Sequence, residues 1–494
     1  MNKLIPAGAA CFLGLAACTP LKLPPGGPAI LTDAARAKIP GAWSGSHRRG
    51  PVVPDWVRTF EDAELNRLVE DAVARNPDLA VAAAKVEASR AAARVAAGSL
   101  YPRAGIKLMG EGQVKALSGD LDSGIDPPSL GGLGVEDAGG GGDTDSADSN
   151  SIRGVEGLGI GASWEADVWG RIRAKKAAAV AESEAAEADL EYARQSLAAT
   201  VVKAWLSTIE ASQQAANARE TMSLYNDYLK LSEVRQKVGF ASDFDLAQIK
   251  TRVADAQDTM ITAEAARTQA IRAIEVITSR YPAGKLTSRT TFPGQPKPVP
   301  SGLPAELLER RPDLIAAERR FAAAFHRVHE AHTARLPRFA LSSSSGLGSA
   351  QLESVGTLNA LTWSLAAGIT QPIFFGGELK AVEDIRTAEQ KAAAAAYAGT
   401  GLRAFEDVEN ALANEFYLRQ REAALTDMVD RSATTIKLGR LQLDQGQTEM
   451  FNILRLTGEN LAAKIELTRI HATRLRERAN LHLALGGSFK PSSK

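Results

Sequence analysis

Two stretches of the chain alternate between apolar residues and small or polar ones, which is the pattern of a β-strand whose two faces differ. In the first stretch, from Leu158 to Val168, the even positions are apolar and the odd positions are glycine, serine or acidic. In the second, from Leu361 to Thr370, apolar residues alternate with threonine, serine, alanine and glycine. An apolar outward face and a small or polar inward face are typical of the wall of an outer-membrane barrel.

Each alternating stretch has a shorter partner upstream, at 104–110 and 339–345, so the pattern predicts two β-hairpins, about residues 103–168 and 338–372. The chain would then supply four strands. Four strands cannot close a barrel, and open strand edges are not tolerated in lipid, so copies of the chain must complete the barrel between them. Alternation also marks any half-buried sheet, and the edge of a soluble β-sandwich is the alternative reading.

Aromatic residues cluster at these hairpins, and such residues are enriched where a membrane protein meets the membrane–water interface. The candidate interface residues are Tyr101, Trp164, Trp169, Trp363, Phe374 and Phe375. The first hairpin also carries an insertion at 118–153 that is rich in glycine and aspartate. Asp143, Asp145 and Asp148 are spaced as in a calcium loop, but the glycine and glutamate that such a loop needs are misplaced. We therefore predict a solvated extracellular loop.

Long segments at 172–238 and 378–445 are rich in alanine and charged residues and nearly free of glycine and proline. This composition predicts helices that pack side by side, each about 100 Å long at a rise of about 1.5 Å per residue. Gly239 and Gly446 are predicted to end these helices. Ser242 and Thr448 are predicted to cap the helices along which the chain returns.

The same order of motifs occurs twice along the chain. Asn76-Pro77-Asp78 returns as Arg311-Pro312-Asp313, and Tyr101-Pro102-Arg103 returns as Leu336-Pro337-Arg338. The chain therefore contains two copies of one supersecondary unit. The predicted organisation is a signal peptide at 1–17, an extended lipid-anchored segment at 18–60, repeat 1 at 61–280, a proline-rich equatorial linker at 281–304, repeat 2 at 305–485 and a C-terminal tail at 486–494.

The first residues of the chain indicate export. A short apolar run from Ile5 to Ala17 follows Lys3, as in a secretory signal. Leu15-Ala16-Ala17-Cys18 looks like a bacterial lipobox, which makes Cys18 the predicted site of lipid attachment and the first residue of the mature chain. A plain signal peptide is the alternative. The lipid would anchor the protein without spanning the membrane.

Charge and motif content argue against several function classes. The 58 basic and 58 acidic residues cancel, so no net field draws the chain to nucleic acid. The HExxH, GxSxG, P-loop and dinucleotide-binding motifs are missing, and we predict no enzyme, no catalytic residue and no cofactor. His326, His329 and His332 are spaced three apart on a predicted helix. Because no thiol or well-placed carboxylate completes a ligand set, a polar helix surface is favoured over a zinc or copper site.

With these features the chain resembles the outer membrane factors of the TolC and OprM type, and most of all the efflux lipoproteins of the NodT family. The resemblance covers essentially the whole mature chain. Its most specific segments are Gly302-Leu303-Pro304 through Arg310-Arg311-Pro312-Asp313-Leu314 with Ala317-Glu318-Arg319-Arg320, and Ala162-Ser163-Trp164-Glu165 through Trp169-Gly170-Arg171.

The resemblance implies an α+β membrane protein that forms a homotrimer. Four strands per chain would close a twelve-stranded outer-membrane β-barrel, continuous with a long periplasmic α-helical barrel and a small mixed equatorial region. It further implies a passive channel in the outer membrane, lipid-anchored at Cys18, that docks onto a periplasmic adaptor and through it onto an inner-membrane RND transporter. Two alternatives stay open: a channel for type I protein secretion, and a periplasmic lipid-anchored coiled-coil scaffold. Lipidation favours efflux, and the scaffold leaves the hairpins unexplained.

The resemblance also assigns the ends of the helical hairpins to the periplasmic entrance. Acidic residues shortly after the second glycine often form a cation-selecting ring in this family. Here Asn452 and Arg455 stand at those positions, so the acidic ring is either partly relocated or paired with Arg455, unless Arg455 forms an ordinary ion pair. The predicted tip and aperture residues are Gly239, Ser242, Asp243, Asp245, Gly446, Thr448, Glu449, Asn452 and Arg455.

Overall fold

The computed structural model describes residues 21–35, 39–45, 50–52, 55–113, 153–287, 289–294, 298–349 and 361–487. The predicted signal peptide, Cys18 and the acidic insertion as far as residue 152 lie outside the described residues. The chain divides into two compact units. One unit contains Ala97–Ile172 and Thr333–Gly376, and the other contains Leu21–Ala96, Arg173–His332 and the chain from Gly377 onward.

The first unit holds a four-stranded antiparallel sheet in the order β1-β2-β3-β4. The strands are β1 (Arg103–Gln113), β2 (Arg153–Ala166), β3 (Arg338–Ser349) and β4 (Leu361–Thr370). Both predicted hairpins are therefore present, and β2 pairs with β3 to join them. β1 and β4 form the two edges of this sheet.

The helices of the two copies match in length. Their bounds are α3 (Pro77–Gly98) and α7 (Pro312–Thr333) with 22 residues each, α4 (Arg171–Lys237) and α8 (Glu378–Asp444) with 67 each, and α5 (Asp243–Ile277) and α9 (Met450–Ala484) with 35 each. Equal lengths in the same order confirm that the sequence repeat is a structural repeat. Among the helices of the described residues, none is both long and apolar enough to cross a membrane.

Shorter elements complete the chain. They are α1 (Gly27–Ala35), α2 (Ala63–Arg75), α6 (Leu307–Arg310) and two 3-10 turns at Trp56–Phe60 and Pro304–Glu306. Asp62 caps α2, since its carboxylate accepts hydrogen bonds from the backbone N–H groups of Glu64 and Leu65. The same carboxylate accepts a 3.0 Å hydrogen bond from Nε1 of Trp205 on α4. One buried side chain thus ties a helix start to a long helix.

Three large apolar clusters and one small alanine cluster lie among the described residues of the second unit. The largest aromatic residues of one cluster are Trp56, Phe60 and Trp205, all fully buried. Another joins α1 to α8 through Leu31 and Tyr397. Glycine permits this approach, because a Cβ at Gly401 would lie 3.0 Å from Leu31 Cδ1. The third contains Tyr225, Tyr228, Ile249, Leu443 and Ile453, drawn from α4, α5, α8 and α9.

Candidate functional site

The register of the sheet places its apolar residues on one face. Ala104 lies opposite Ala162, Ala162 opposite Ser343, and Ser343 opposite Leu365. Residues directly opposite each other share a face, and residues two apart along a strand share it too. We call this the apolar face. Its described large members are Ile106, Ile160, Trp164, Phe339, Leu341, Trp363, Leu365 and Ile369.

Much of the apolar face is open in the single chain. The side chains of Ile106, Ile160, Trp363, Leu365 and Ile369 are between 58% and 79% exposed. A contiguous set of exposed large apolar residues marks a surface that is covered by another protein or by a membrane. The sheet by itself therefore leaves most of this face uncovered, in contrast to the core around Trp205.

The opposite face of the sheet, the small-residue face, carries mainly glycine, serine, alanine and threonine, with the charged residues Arg103, Glu165 and Arg338 near one end. Its described members in the strand interiors include Gly105, Gly159, Gly161, Ser163, Ala340, Ser342, Ser344, Ser364, Ala366 and Gly368. Ser344 Oγ and Ser364 Oγ form a 2.7 Å hydrogen bond across β3 and β4. A Cβ added at Gly105 or Gly368 would meet no other atom within 4 Å. Open space therefore lies in front of this face.

The six predicted interface aromatics all lie in the sheet unit. Tyr101, Trp363, Phe374 and Phe375 are exposed, and Trp164 is just over a third exposed. Two indoles are anchored: Nε1 of Trp164 donates to Leu100 O at 2.9 Å, and Nε1 of Trp169 donates to Pro337 O at 2.8 Å. An exposed ring with a satisfied N–H suits an interface between apolar and wet surroundings. Their membrane role stays a prediction.

The turn from β2 into α4 is fixed by charged groups. Arg171 donates to both carboxylate oxygens of Glu165, with the shortest distance 2.8 Å. Asp167 Oδ1 accepts a 2.9 Å hydrogen bond from the backbone N–H of Ile172 at the start of α4. Gly170 has a φ of 80°, which favours glycine. The family-like segment from Ala162 through Arg171 thus ends in a structural turn that is held by a bidentate ion pair.

The long helices end at two loops of equal length. We call 238–242 the first tip and 445–449 the second tip. Gly239 has φ 80° and Gly446 has φ 69°. In each tip the glycine N–H donates to the carbonyl three residues earlier. The N–H of the next residue donates to the carbonyl five residues earlier, which is Arg235 O at 2.8 Å in the first tip and Gln442 O at 2.9 Å in the second. Both are left-handed glycine caps that satisfy the last helical carbonyls, as predicted.

The helices that leave the two tips begin differently. Ser242 caps α5 in a capping box: its Oγ accepts from Asp245 N, and the Asp245 carboxylate accepts from Ser242 N at 2.9 Å. At the second tip the prediction that Thr448 caps the helix is wrong. The N-cap position is Glu449, which makes no side-chain cap bond. Both N-caps stand three residues after their glycine, so Thr448 comes one residue too early.

Three charged residues near the tips have local partners. Asp243 Oδ1 accepts a 2.6 Å hydrogen bond from Gln236 Nε2. The hydrogen bonds from the backbone and the hydroxyl of Ser242 hold the pKa of Asp245 below its ordinary value. Arg455 forms a half-exposed ion pair with Glu459 one turn later, at 2.7 Å. Arg455 therefore has an ordinary helical partner, and its part in ion selection stays a prediction.

The three histidines do not gather a ligand set. His332 Nδ1 lies 3.1 Å from Glu383 Oε1 on α8. His326 is buried, and burial, followed by the charge of His329, lowers the pKa of its imidazole. Across the part of the chain that the structure describes, no group of three or more His, Cys, Asp or Glu residues could hold a metal ion.

Sequence reasoning missed two polar contacts between the long helices. Tyr228 Oη, on α4 near the first tip, accepts hydrogen bonds from Arg440 Nε and Nη2 on α8 at 3.1 and 2.7 Å. Further from the tips, buried Glu422 on α8 accepts a 2.6 Å hydrogen bond from Arg474 on α9. No signal within a single helix of the sequence indicates either contact, because each depends on how two helices are rotated about their axes.

Comparison with known proteins agrees with this architecture. A family model described as outer membrane efflux protein matches residues 68–279 and 303–487, most of the chain. The chain belongs to the outer membrane efflux protein family. This efflux protein is 28% identical to the pyoverdine export outer membrane protein OpmQ of Pseudomonas putida, over 92% of this chain and 93% of the relative. It is 29% identical to the outer membrane protein OprJ of Pseudomonas aeruginosa, over 92% and 91%.

Three further comparisons extend the agreement. The toluene efflux pump outer membrane protein TtgF of Pseudomonas putida is 28% identical over 88% of this chain and 85% of its own. The solved outer-membrane channel OprN has a TM-score of 0.80, 25% identity and coverage of 92% and 99%. The Campylobacter jejuni outer membrane channel CmeC, at 21% identity, has the same fold, with a TM-score of 0.82 and coverage of 96% and 95%. The predicted family, transport function and outer-membrane location are confirmed.

Proposed function

We propose that three copies of this efflux protein close one outer-membrane barrel of twelve strands, through which substrates pass outward without catalysis. The observation that carries the proposal is the four-stranded sheet with two unpaired edges, β1 and β4, and an exposed apolar face. In lipid, unpaired backbone N–H and C=O groups cost several kcal/mol each, so a sheet there must close on itself. Repetition of the sheet by threefold symmetry removes both edges.

The two faces of the sheet support this orientation. Lipid would contact the apolar face, where Trp363 and Ile369 are exposed, and the small-residue face would line the lumen. Glycine and serine keep the lumen wide, because they project little from the strands. The exposed aromatic residues Tyr101, Phe374 and Phe375 would lie at the membrane interface. Cys18 would carry the lipid that fastens the N-terminal segment to the same membrane.

The tips supply a surface for a periplasmic partner. Phe240 in the first tip is 78% exposed, and Phe244 in the first turn of α5 is 69% exposed. Phe451, next to the second tip, is also exposed. Exposed aromatic residues on a helical hairpin fit the end of another helical hairpin. We propose that the partner is the adaptor of a tripartite pump, which links this channel to an inner-membrane RND transporter.

The cargo would be whatever the inner-membrane transporter delivers. One relative is named for pyoverdine export and another for a toluene efflux pump. Pyoverdine and toluene are chemically unlike one another. A passive lumen lined by small hydroxyl and glycine residues imposes little chemical choice on neutral cargo. The Gly239 and Gly446 caps, with Ser242, Asp243, Asp245, Thr448, Glu449, Asn452 and Arg455 beside them, would form the periplasmic aperture.

Cysteine cross-linking tests whether β1 and β4 meet between copies. Ala104, near the start of β1, and Ile369, near the end of β4, lie at the same end of the sheet and on the same face. The variant Ala104→Cys/Ile369→Cys, oxidised in membranes, should give a covalent trimer on a denaturing gel. Two further variants, Ala104→Cys/Leu365→Cys and Ala104→Cys/Ala367→Cys, test neighbouring registers of the β1–β4 pairing between copies.

A matched control keeps the same chemistry away from the edge. The variant Ala104→Cys/Leu341→Cys places the second thiol on the interior strand β3. This variant should run as a monomer on the denaturing gel. Purified wild-type protein in planar bilayers should show discrete openings, with a trimer mass by light scattering. A protein that cross-links in no register and never conducts would overturn the proposal and favour the anchored scaffold.

A further inference from the structure

Two arginines occupy corresponding positions in the two copies. Arg103 follows Pro102 at the start of β1, and Arg338 follows Pro337 at the start of β3. Arg103 lies opposite Ser163, and Arg338 lies opposite Thr370. Both therefore belong to the small-residue face. Both side chains are exposed, at the end of the sheet where β1 and β3 begin.

The carboxylates at this end of the sheet are engaged elsewhere. Glu165 holds Arg171 through a bidentate pair. Asp167 accepts a hydrogen bond from the N-terminal N–H of α4. Arg103 has a neutral hydrogen-bond partner, since its Nη2 donates to Ser99 Oγ at 3.4 Å. Among the described residues, neither Arg103 nor Arg338 forms an ion pair with a carboxylate.

The surroundings leave the guanidinium groups room to bind. Gly105 and Gly368 stand two residues along from Arg103 and Thr370, and a Cβ at either would meet nothing within 4 Å. Serine and threonine hydroxyls on neighbouring strands, at Ser163 and Thr370, are further hydrogen-bond donors on the same face. Planar guanidinium forks and hydroxyl groups together suit carboxylate, phosphate and halide ions.

We propose that Arg103 and Arg338 form an anion-binding ring in the channel lumen. The inference rests on the trimeric barrel proposed above, in which each arginine is repeated three times round the small-residue face. Rings of Arg or Lys side chains are the usual means by which pores favour anions. Like charges held in a confined aqueous lumen also raise the local concentration of counter-ions. The ring would draw anionic cargo, or the anionic groups of zwitterionic cargo, into the barrel.

Bilayer recordings of charge-neutralised channels test the ring. We compare wild type, Arg103→Gln/Arg338→Gln and a matched control, Arg67→Gln, which removes an exposed arginine of α2 outside the sheet. Reversal potentials in a KCl gradient give the chloride-to-potassium permeability ratio. We expect this ratio to fall about fivefold in the double variant at 0.1 M salt and by less at 1 M, where the Debye length is about 3 Å. The control should match wild type at both concentrations.

A polyvalent anion gives a second readout of the same site. Tripolyphosphate, added to each side in turn, should block wild-type current at lower concentration than it blocks the double variant. Charge reversal, Arg103→Glu/Arg338→Glu, should remove the block and favour potassium. Open channels whose permeability ratio and block are the same in all variants would overturn the arginine ring and leave the proposed channel intact. A wild-type protein that forms no channel would instead overturn the proposed function, and the ring with it.

Discussion

The hairpin of α4 and α5 and the hairpin of α8 and α9 have the same helix lengths and the same tip geometry, yet different chemistry holds them together. In the second hairpin, Arg474 binds Glu422 at 2.6 Å and Glu415 at 3.2 Å, and all three are largely buried. His471 Nδ1 lies 3.1 Å from the other oxygen of Glu422. The two helices are thus joined through a buried ionic cluster.

At this level the first hairpin joins its helices through a more exposed ion pair, Arg219 on α4 with Glu264 on α5, whose side chains are 54% and 32% exposed. At positions equally distant from the tip glycines, Ala215 stands in place of Glu422 and Thr208 in place of Glu415. Ala215 is fully buried, and Thr208 Oγ1 reaches Ala270 O on α5 at 3.3 Å. The two copies thus share their helix lengths and their tip glycines, whereas different side chains fill the interior of each hairpin.

The largest expected effect comes from breaking the buried cluster. Glu422→Ala leaves the Arg474 guanidinium with only Glu415, and loss of one partner of a buried ion pair typically costs about 3–5 kcal/mol. Thermal unfolding of the detergent-solubilised protein, followed by circular dichroism, should show a clear drop in the midpoint.

Glu459→Ala is the matched control for this change. It removes the partner of Arg455 from an exposed i,i+4 ion pair within α9. Exposed pairs of this kind contribute less than about 1 kcal/mol. If both variants unfold at the same temperature, the buried cluster does not distinguish the two hairpins.

This contrast also shows which parts of the structure could be predicted from the sequence. Strand alternation fixes which residues share a face. The apolar face was therefore predictable without coordinates from the two alternating stretches, Leu158 to Val168 and Leu361 to Thr370. The tip glycines were predictable because a left-handed helix end requires them. The ionic cluster was not, because Glu422 and Arg474 meet only when α8 and α9 take one particular rotation about their axes. Periodicity within one helix carries no information about that rotation.

The second helix start was also mispredicted for a physical reason. Ser and Thr are good caps only at the residue whose side chain can reach the N2 or N3 amide. Thr448 is one residue short of that position, and Glu449 occupies it without a cap bond. A search for the nearest hydroxyl residue therefore chose the wrong side chain.

A smaller effect is expected at the two helix starts. Ser242→Ala removes the capping box of α5 and should cost about 1 kcal/mol of local stability, or about fivefold faster amide exchange in its first turn. Glu449→Ala removes no cap bond from α9 and should leave exchange there nearly unchanged. Hydrogen exchange with mass spectrometry resolves the two segments. Equal changes at both starts would mean that the capping box has no special role.

The smallest expected effect is a pH dependence of amide-exchange protection that is confined to the first turn of α5. The Ser242 backbone N–H and hydroxyl lower the pKa of Asp245 below its ordinary 3.8 in the folded chain. A carboxyl with a lowered folded pKa adds stability above its unfolded pKa, and this stability disappears as pH falls through the lowered value. Protection of the first turn of α5, corrected for intrinsic exchange, should therefore decrease as pH falls below 3.8.

The second tip provides the internal reference for this titration. Asn452 stands where Asp245 stands in the first copy and cannot titrate, so the first turn of α9 should show no matching change from this position. Asp245→Asn should make the first turn of α5 behave in the same way. If protection at α5 still falls with pH in that variant, another group is responsible, and the capping carboxylate does not account for the difference between the tips.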